Sequence, residues 1–446
     1  MSVLSRILPA TDRPPAVVLR AALVLLLVFD AFLLLRLPEV PWVLAGLAAL
    51  VGAAWVVMSL PWAVALLGMG YPILDPINIV LRTDAVTFYG TRWLVIGGLL
   101  LLLLIRVRKP GSFLARCMSD PIAMWAAALG FVLVLGLFWT PSPVYGRMKV
   151  VGYLITNLLL FAGGLVLATA RDGEPPQARD ERYDSFLRAI VFFALLLALA
   201  GFVNLQLRYY KFTTRLTVLG INPIWVARTM GLAILSLLTL RRLRQIGSPA
   251  FLLLTAPLAA VMVLTGSRGP LLGLLIVLVG GGLVLSRASF GRRILVLAAS
   301  ASAAGLAFLV MPEALRDRFL RTFTGETSGL LRIGLLKIVR SALAYVPGRG
   351  MGTGGFPLLL RIGDRRMYPH NLFAEIGIEN GIPGLLTLVG FIGATLARGI
   401  RRAHDPRMLT AILAFIFALW NAQFSGDLIG NEWVWLFAGV IAGRSR

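Results

Sequence analysis

Long apolar runs, each of about 16 to 22 residues, recur along most of the chain and alternate with short polar segments. A run of that length spans the hydrocarbon core of a bilayer as an α-helix. We therefore predict an all-α polytopic integral membrane protein with about 12 to 14 transmembrane helices. The predicted spans lie near residues 16–36, 41–59, 61–80, 91–106, 121–139, 149–170, 184–204, 223–240, 249–265, 270–287, 293–311, 372–397, 408–424 and 428–443.

The spans leave no room for a soluble domain of useful size, so residues 1–446 are predicted to form a single transmembrane domain. One long polar segment, residues 312–371, is inserted between two spans. The third run is interrupted by Gly70, Pro72 and Pro76, which is why the number of spans is given as a range. No small-residue cleavage site follows the first run, and we expect a retained span there rather than a signal peptide.

Composition agrees with this pattern and adds an unusual charge. Of 446 residues, 58% are hydrophobic and 14% are charged, and 43 Lys and Arg against 20 Asp and Glu give a formal net charge of +23. The positive-inside bias explains part of that excess, and anionic membrane lipids are expected partners. No basic soluble module is predicted, so nucleic acid is not an expected partner. Cys117 is the one cysteine, which excludes an intramolecular disulfide and a multi-cysteine metal site.

Basic clusters at 106–109, 241–244, 287–293 and 398–407 follow even-numbered predicted spans. The positive-inside rule places them in the cytoplasm, with both termini inside and residues 312–371 outside. This outer segment nevertheless carries ten Lys and Arg against four acids. Such a departure from the bias indicates binding of anionic headgroups or, alternatively, of a phosphate-bearing substrate, because guanidinium groups match phosphate oxygens bidentately.

Within the outer segment, residues 329–345 are predicted to form an amphipathic surface helix with Arg332, Lys337 and Arg340 on one side. The glycines between 348 and 355 follow it. They predict a flexible turn, either for close backbone approach to a substrate or a tight re-entry, or as a plain surface loop. These glycines do not form the GxGxxG motif of a nucleotide-binding site, because no strand is predicted before them and no βαβ unit around them.

His370 follows Tyr368-Pro369 and stands directly before an apolar run, so His370 and Asn371 are predicted in the first turn of a helix. The positive end of the helix dipole favours a neutral imidazole, which can accept a proton. A capping or interfacial histidine is the alternative. Glu375 and Glu379 follow on the same helix and are expected to orient His370 or to pair with an arginine, or simply to favour the helix start.

Further arginines are predicted at outer turns, where they are candidates for binding phosphate. Arg268 lies in the turn TGSRGP and needs a carboxylate or a phosphate as its partner, and Arg215 precedes a helix start at Asn222-Pro223. Weaker candidates for binding phosphate are Arg147, Arg361 and Arg366. Asp427, an acid at another outer turn, is expected to pair with one of the arginines. The sequence shows no Asp-x-Asp pair, no His/Cys cluster and no Walker sequence, so neither a metal nor any other cofactor is expected.

Three segments together resemble the O-antigen ligase/polymerase family of bacterial inner-membrane proteins. They are TGSRGPLLGLL (265–275), the Arg332 helix with the turn PGRGMGTGG (347–355), and PHNLFAEIGIENGIPGLL (369–386). The last is the most specific, with His-Asn, an acid, and then Glu-Asn-Gly-Ile-x-Gly. The resemblance covers roughly residues 200–440, and the order of the motifs and their common predicted side carry more weight than any one of them.

The resemblance implies a multi-pass glycosyltransferase of the GT-C type in the bacterial inner membrane, with its active site facing the periplasm. The donor would be a glycan on undecaprenyl diphosphate, and the reaction would be metal-independent and inverting. For a ligase the acceptor is lipid A–core; for a polymerase it is another lipid-linked repeat unit. In this reading His370 activates the acceptor hydroxyl and Arg215, Arg268 and Arg332 bind the donor diphosphate. Supporting roles would fall to Arg147, Arg361, Arg366, Asn371, Glu375 and Asp427.

Other classes remain open at this point. Ligase is preferred over polymerase, and related proteins transfer to a protein hydroxyl. A transporter or flippase for the lipid-linked glycan would place basic residues along a cavity and often shows internal repeats, whereas here they collect at one predicted face. Peptidoglycan polymerases of the RodA/FtsW type rely on a catalytic aspartate in an outer loop, for which Asp364 is the available residue. A scaffold would not need outer arginines.

Overall fold

The computed structural model describes residues 60–69, 117–170, 174–206, 215–218, 220–281, 327–346 and 348–444, and isolated positions between 291 and 317. These residues form helices and loops, with an isolated bridge between Val218 and Ile221. The helices in chain order are α1 (Leu60–Gly68), α2 (Pro121–Gly136), α3 (Pro143–Gly152), a π-helical segment (Tyr153–Asn157), α4 (Leu158–Ala168), α5 (Pro176–Gln206), α6 (Pro223–Arg242), α7 (Ser248–Leu264), α8 (Arg268–Gly280), α9 (Thr327–Leu343), α10 (Phe356–Leu359), α11 (Leu372–Arg401), α12 (Pro406–Ala422) and α13 (Glu432–Arg444).

Among these helices, five are long and apolar enough to cross a membrane. They are Pro121–Phe138, Pro143–Ala168, Pro176–Gln206, Pro223–Arg242 and Leu372–Arg401. The predicted all-α, polytopic architecture is thereby confirmed. The spans predicted at 16–36, 41–59 and 91–106 lie outside the described residues, as do most of those at 61–80 and 293–311. The inside-outside orientation and the single domain stay predictions.

Short polar residues set the helix starts. Asp120, Asn222, Asn371 and Asp405 stand immediately before α2, α6, α11 and α12, and each accepts a backbone N–H from the first turn. These caps satisfy donors that would otherwise lack partners in a helix end. Proline follows at the first position of α2, α6 and α12, where its missing N–H costs nothing.

The structure divides into two compact units, and residues 171–271 form most of the described part of the first. In this unit α5 packs against α1, α6 and α7, and α6 packs against α7. Trp62 of α1 is buried edge-on against Phe192 and Phe193 of α5, with ring centroids 5.3 and 5.9 Å apart. Aromatic packing of this kind anchors the short α1 on the long α5.

The second unit comprises residues 93–170, 272–308 and 316–446. Here α11 packs against α2, α9, α12 and α13, and α4 packs along α13. Gly164 of α4 meets the backbone of α13 so closely that an added Cβ would lie 2.9 Å from the nitrogen of Val440. Small residues allow this approach, as is usual between membrane helices.

The helices α2 and α11 run antiparallel, because Asp120 before α2 pairs with Arg398 near the end of α11. At the opposite end, Gly136 of α2 and Asn380 of α11 both contact Thr353. This end of the second unit holds the candidate site.

Candidate active site

The helix α11 is bent within its first half, and the bend shapes the site. Gly381 has φ 62° and ψ −153°, which interrupts the helical backbone, and Pro383 follows it. Only glycine adopts such a conformation readily, and proline donates no N–H to close a helical turn. The first turns of α11 therefore form a separate short segment that carries Glu375 and Glu379.

Glu375 and Glu379 are completely buried and pair with a lysine, not with an arginine as one prediction had it. Lys149 of α3 lies with its Nζ 2.7 Å from Glu375 Oε1 and 2.7 Å from both carboxylate oxygens of Glu379. All three side chains have zero exposure. Charges buried this deeply need partners of this kind, and the lysine ties α3 to the start of α11.

Each glutamate also accepts backbone hydrogen bonds from a loop. Both oxygens of Glu375 accept from the N–H of Leu428, at 3.2 and 3.1 Å. Glu379 Oε2 accepts from the N–H of Gly354, at 2.9 Å. The two carboxylates therefore hold the loop after α12 and the glycine-rich loop against α11.

The glycine-rich loop, residues 348–355, is a structural element of this cluster and not a surface turn. Gly350, Gly352 and Gly354 are buried and have φ of 72°, 97° and 79°. The N–H of Gly352 donates to the carbonyl oxygen of Glu379 at 2.8 Å, and a Cβ on Gly352 would lie 2.6 Å from the nitrogen of Thr140. The close backbone approach predicted from the glycines is thus made to the protein's own helices.

A second buried charge lies beside this cluster. Asp427 has zero exposure, and Arg366 donates to both of its oxygens at 2.9 Å, through Nε and through one terminal nitrogen. The N–H of Gly430 and the hydroxyl of Tyr145 also donate to Asp427, at 3.0 and 3.2 Å. Burial would raise the pKa of Asp427, but the guanidinium of Arg366, the charge of Lys149 and the N–H of Gly430 lower it to about 2.

Arg366, Tyr368 and His370 stand at alternate positions of the loop that leads into α11. The guanidinium of Arg366 lies 5.7 Å from the ring centre of Tyr368, and the ring of Tyr368 meets that of His370 edge-on at 4.7 Å. The histidine is thereby placed next to the Arg366–Asp427 pair.

His370 differs from the prediction in one respect. Asn371, not His370, is the helix cap, with its side chain accepting from the N–H of Ala374 at 2.9 Å. His370 precedes the cap with φ 58°, a strained conformation for a residue other than glycine. Among the described residues, none forms a hydrogen bond with Nδ1 of His370. His370 therefore combines a strained backbone with a ring nitrogen, Nδ1, that is buried and has no hydrogen-bond partner among the described residues.

The imidazole is neutral, as predicted, but for another reason. Burial and, to a smaller extent, the charge of Arg332 lower the pKa of His370 to about 4, against the opposing effect of Asp427. Burial and a neighbouring cation thus replace the helix dipole as the physical cause.

Arg332 reaches the site from α9. It is half-buried next to the face of Leu335 and Val339, and so is less exposed than Lys337 and Arg340, with which it was predicted to share a side. That face packs against Phe356 and Ile378. Lys337 and Arg340 are exposed among Leu330, Leu331, Ile333, Leu336 and Ile338.

In the first unit, Arg215 holds the turn that carries Arg268. Its Nε donates to the carbonyl oxygen of Thr265 at 2.9 Å, and a terminal nitrogen donates to Ser267 Oγ at 2.6 Å. Gly266 completes the turn with φ 57°. Arg268 is half-buried at the first residue of α8. The two arginines therefore belong to one local structure, which the sequence analysis had not predicted.

Other candidates lie at the surface. Arg147 is exposed and donates to the carbonyl oxygen of Pro143, and Arg361 is exposed at φ 56°. Asp364 accepts from Ser142 Oγ and from the N–H groups of Val144 and Tyr145, so it caps α3. Burial opposes ionisation, yet the hydroxyl and the two N–H groups lower the pKa of Asp364. A capping carboxylate is poorly suited to the catalytic role it has in the RodA/FtsW reading.

Sequence reasoning missed Lys149, Tyr145 and Tyr368. Lys149 interrupts an apolar helix and lies four residues after Tyr145, so both face one side of α3. Glu375 and Glu379 have the same four-residue spacing on α11. Polar residues at matching spacing on two apolar helices are the signal from which the contact between α3 and α11 could have been predicted.

Comparison with known proteins bears on this site. No curated protein matches the chain. The protein-family model described as O-antigen ligase matches residues 250–389, a stretch that contains Arg268, Arg332, Arg366 and His370 but neither Lys149 nor Asp427. The chain is a multi-pass membrane protein, and the match supports a membrane function of ligase or polymerase type. The resemblance of its three motifs to the O-antigen ligase family is thus confirmed over residues 250–389.

Proposed function

We propose that this protein is an O-antigen ligase. It transfers a glycan from undecaprenyl diphosphate to a hydroxyl of lipid A–core, on the periplasmic face of the bacterial inner membrane. The architecture would be of the GT-C type, and the reaction would proceed without a metal ion and with inversion at the anomeric carbon.

The observation that carries the proposal is the state of His370. It lies within the matched stretch and is neutral at physiological pH, and its strained backbone fixes the ring against Tyr368. A neutral imidazole can accept the proton of an attacking hydroxyl. His370 is therefore assigned as the catalytic base.

In the proposed reaction, the acceptor oxygen attacks the anomeric carbon from the face opposite the diphosphate. The new carbon–oxygen bond forms as the bond to the diphosphate oxygen breaks, and undecaprenyl diphosphate leaves with the electron pair. The hydroxyl proton passes to His370. Since the leaving group is already anionic, it needs charge stabilisation more than a proton.

Arg215, Arg268 and Arg332 are proposed to supply that stabilisation. Arg332 acts beside His370, and Arg215 fixes the turn of Arg268. Removal of one preorganised donor in such a site typically costs about 2.7–4 kcal/mol of transition-state stabilisation. Arg366 is held by Asp427 and contributes to the position of Tyr368.

A polymerase that joins lipid-linked repeat units would use the same donor. We favour ligase because the matched family model carries that description. The purified protein is incubated with undecaprenyl-diphosphate-linked glycan in EDTA, with and without lipid A–core. Product that forms only with lipid A–core supports the ligase, whereas a ladder of longer lipid-linked glycan without lipid A–core indicates the polymerase. No product under either condition refutes the enzyme and favours a transporter of the same lipid.

A further inference from the structure

Lys149 is a lysine with zero exposure inside a helix long and apolar enough to span the membrane. An ammonium group is costly to bury, and such residues in membrane helices usually serve function. The proposed proton transfer and charge stabilisation do not use the three-residue cluster of Lys149, Glu375 and Glu379.

The cluster joins the segments that present the site. Through Glu375, Lys149 is linked to the N–H of Leu428, the residue after Asp427. Through Glu379 it is linked to the N–H of Gly354 in the glycine-rich loop. Glu375 lies four residues after the helix cap Asn371, so its position also fixes the start of α11 and the residue before it, His370.

A second residue of α3, Tyr145, also contacts the site. Tyr145, one turn before Lys149, donates to Asp427 at 3.2 Å, and its ring centre lies 4.6 Å from Lys149 Nζ. The described charged and titratable groups around the lysine are therefore Glu375, Glu379, Asp427 and Tyr145. Through Lys149 and Tyr145, α3 therefore contacts Glu375 and Glu379 at the start of α11 and also Asp427.

We propose that Lys149 is a positioning residue for the transfer reaction. It holds His370 and the Arg366–Asp427 pair at a fixed separation by drawing together α3, the start of α11 and the loop after α12. This role rests on the proposed function, since it presupposes that His370 acts as the base. Misplacement of a reacting group by about 1 Å costs about 10²-fold in rate, so a small relaxation of the cluster has a large kinetic effect.

The test compares Lys149→Met with wild type in single-turnover transfer, in donor binding and in the pH profile of kcat/KM. We expect a fall of about 10²-fold in the transfer rate with nearly unchanged donor affinity. The acid limb of the profile should also move, because the distances of His370 from Arg332 and Asp427 change. Lys337→Met is the matched control, since Lys337 is exposed on α9.

A second variant restores the net charge that the cluster has in the wild type. Lys149→Met with Glu379→Gln deletes one cation and one anion and keeps the formal charge of the cluster. It should be folded by gel filtration and thermal unfolding, and should still show the slow transfer and the shifted acid limb.

The outcomes separate this proposal from the proposed function. Full activity with an unaltered acid limb in a folded Lys149 variant overturns the positioning role and leaves the ligase intact. Loss of structure in both Lys149 variants also overturns it, because the lysine would then serve the fold alone. An inactive wild type instead refutes the enzyme itself.

Discussion

The Arg366–Asp427 pair provides a quantitative test of the buried electrostatics. Asp427 has zero exposure and accepts two charge-assisted bonds from Arg366, whose side chain is 20% exposed. The pKa of Asp427 is lowered from 3.8 to about 2 in the folded protein. At about 1.4 kcal/mol for each pH unit between the two pKa values, ionised Asp427 contributes roughly 2 kcal/mol to the free energy of unfolding at pH 7.

The sign follows from the lowered pKa. This contribution is fully present above pH 4 and is lost as the pH falls through about 2, where the folded protein also takes up the proton. Asp427→Asn should therefore cost roughly 2 kcal/mol at pH 7 and progressively less below pH 4. Arg366→Gln should cost more, about 3 kcal/mol, because it leaves a buried carboxylate without its main counterion.

The free energy of unfolding is measured by denaturant titration in mixed micelles for wild type, both single variants and the double variant. The double variant should cost about 2 kcal/mol less than the sum of the singles, because the residues contact each other. Arg365→Gln is the matched control at an exposed neighbour and should change little. Additive losses, or an Asp427→Asn loss that stays constant down to pH 3, would refute this account of the pair.

Three further predictions concern the loop, the histidine and the rival aspartate. Gly352→Ala should unfold or inactivate the protein, because its Cβ would overlap the backbone after α2. Gly363 also has a positive φ, but nothing lies within 4 Å of its added Cβ, so Gly363→Ala should lower the free energy of unfolding by only about 1–2 kcal/mol, measured by thermal unfolding. The acid limb of kcat/KM should report the His370 pKa, which is about 4 in the free protein, and Arg332→Met should move that limb to higher pH because a cation that disfavours protonation is removed; an unmoved limb would separate the two residues. Asp364→Asn should lower stability by about 1 kcal/mol through the weakened cap of α3 and leave the transfer rate within about twofold of wild type, whereas loss of activity in a folded variant would revive the aspartate mechanism.

Much of the fold was predictable because membrane helices depend on length and apolarity. The helix α11 begins within two residues of the apolar run, since Asn371 caps it and the preceding proline excludes an earlier start. The run predicted from residue 149 is an instructive exception. Its helix begins at Pro143, where Asp364, more than 200 residues away in the chain, accepts the N–H groups of Val144 and Tyr145.

The site was less predictable, because it depends on contacts between residues that are far apart in the chain. Hydrophobic periodicity indicates which residues are costly to bury, but not which opposite charge compensates them. Glu375 and Glu379 were recognised as needing partners, and the partner proved to be Lys149 instead of an arginine. Likewise the glycines indicated close backbone contact, but only the structure shows that the contact is with α11 and the segment after α2.

The central claim is that His370 accepts the proton of the acceptor hydroxyl. It is tested most directly by comparing wild type with His370→Ala in single-turnover transfer, with donor binding measured separately on the same preparations. We predict a fall in the transfer rate of about 10²–10⁴-fold with donor affinity retained, because only the proton transfer is lost. An undiminished rate in a folded His370→Ala protein would contradict the account and remove His370 from the reaction.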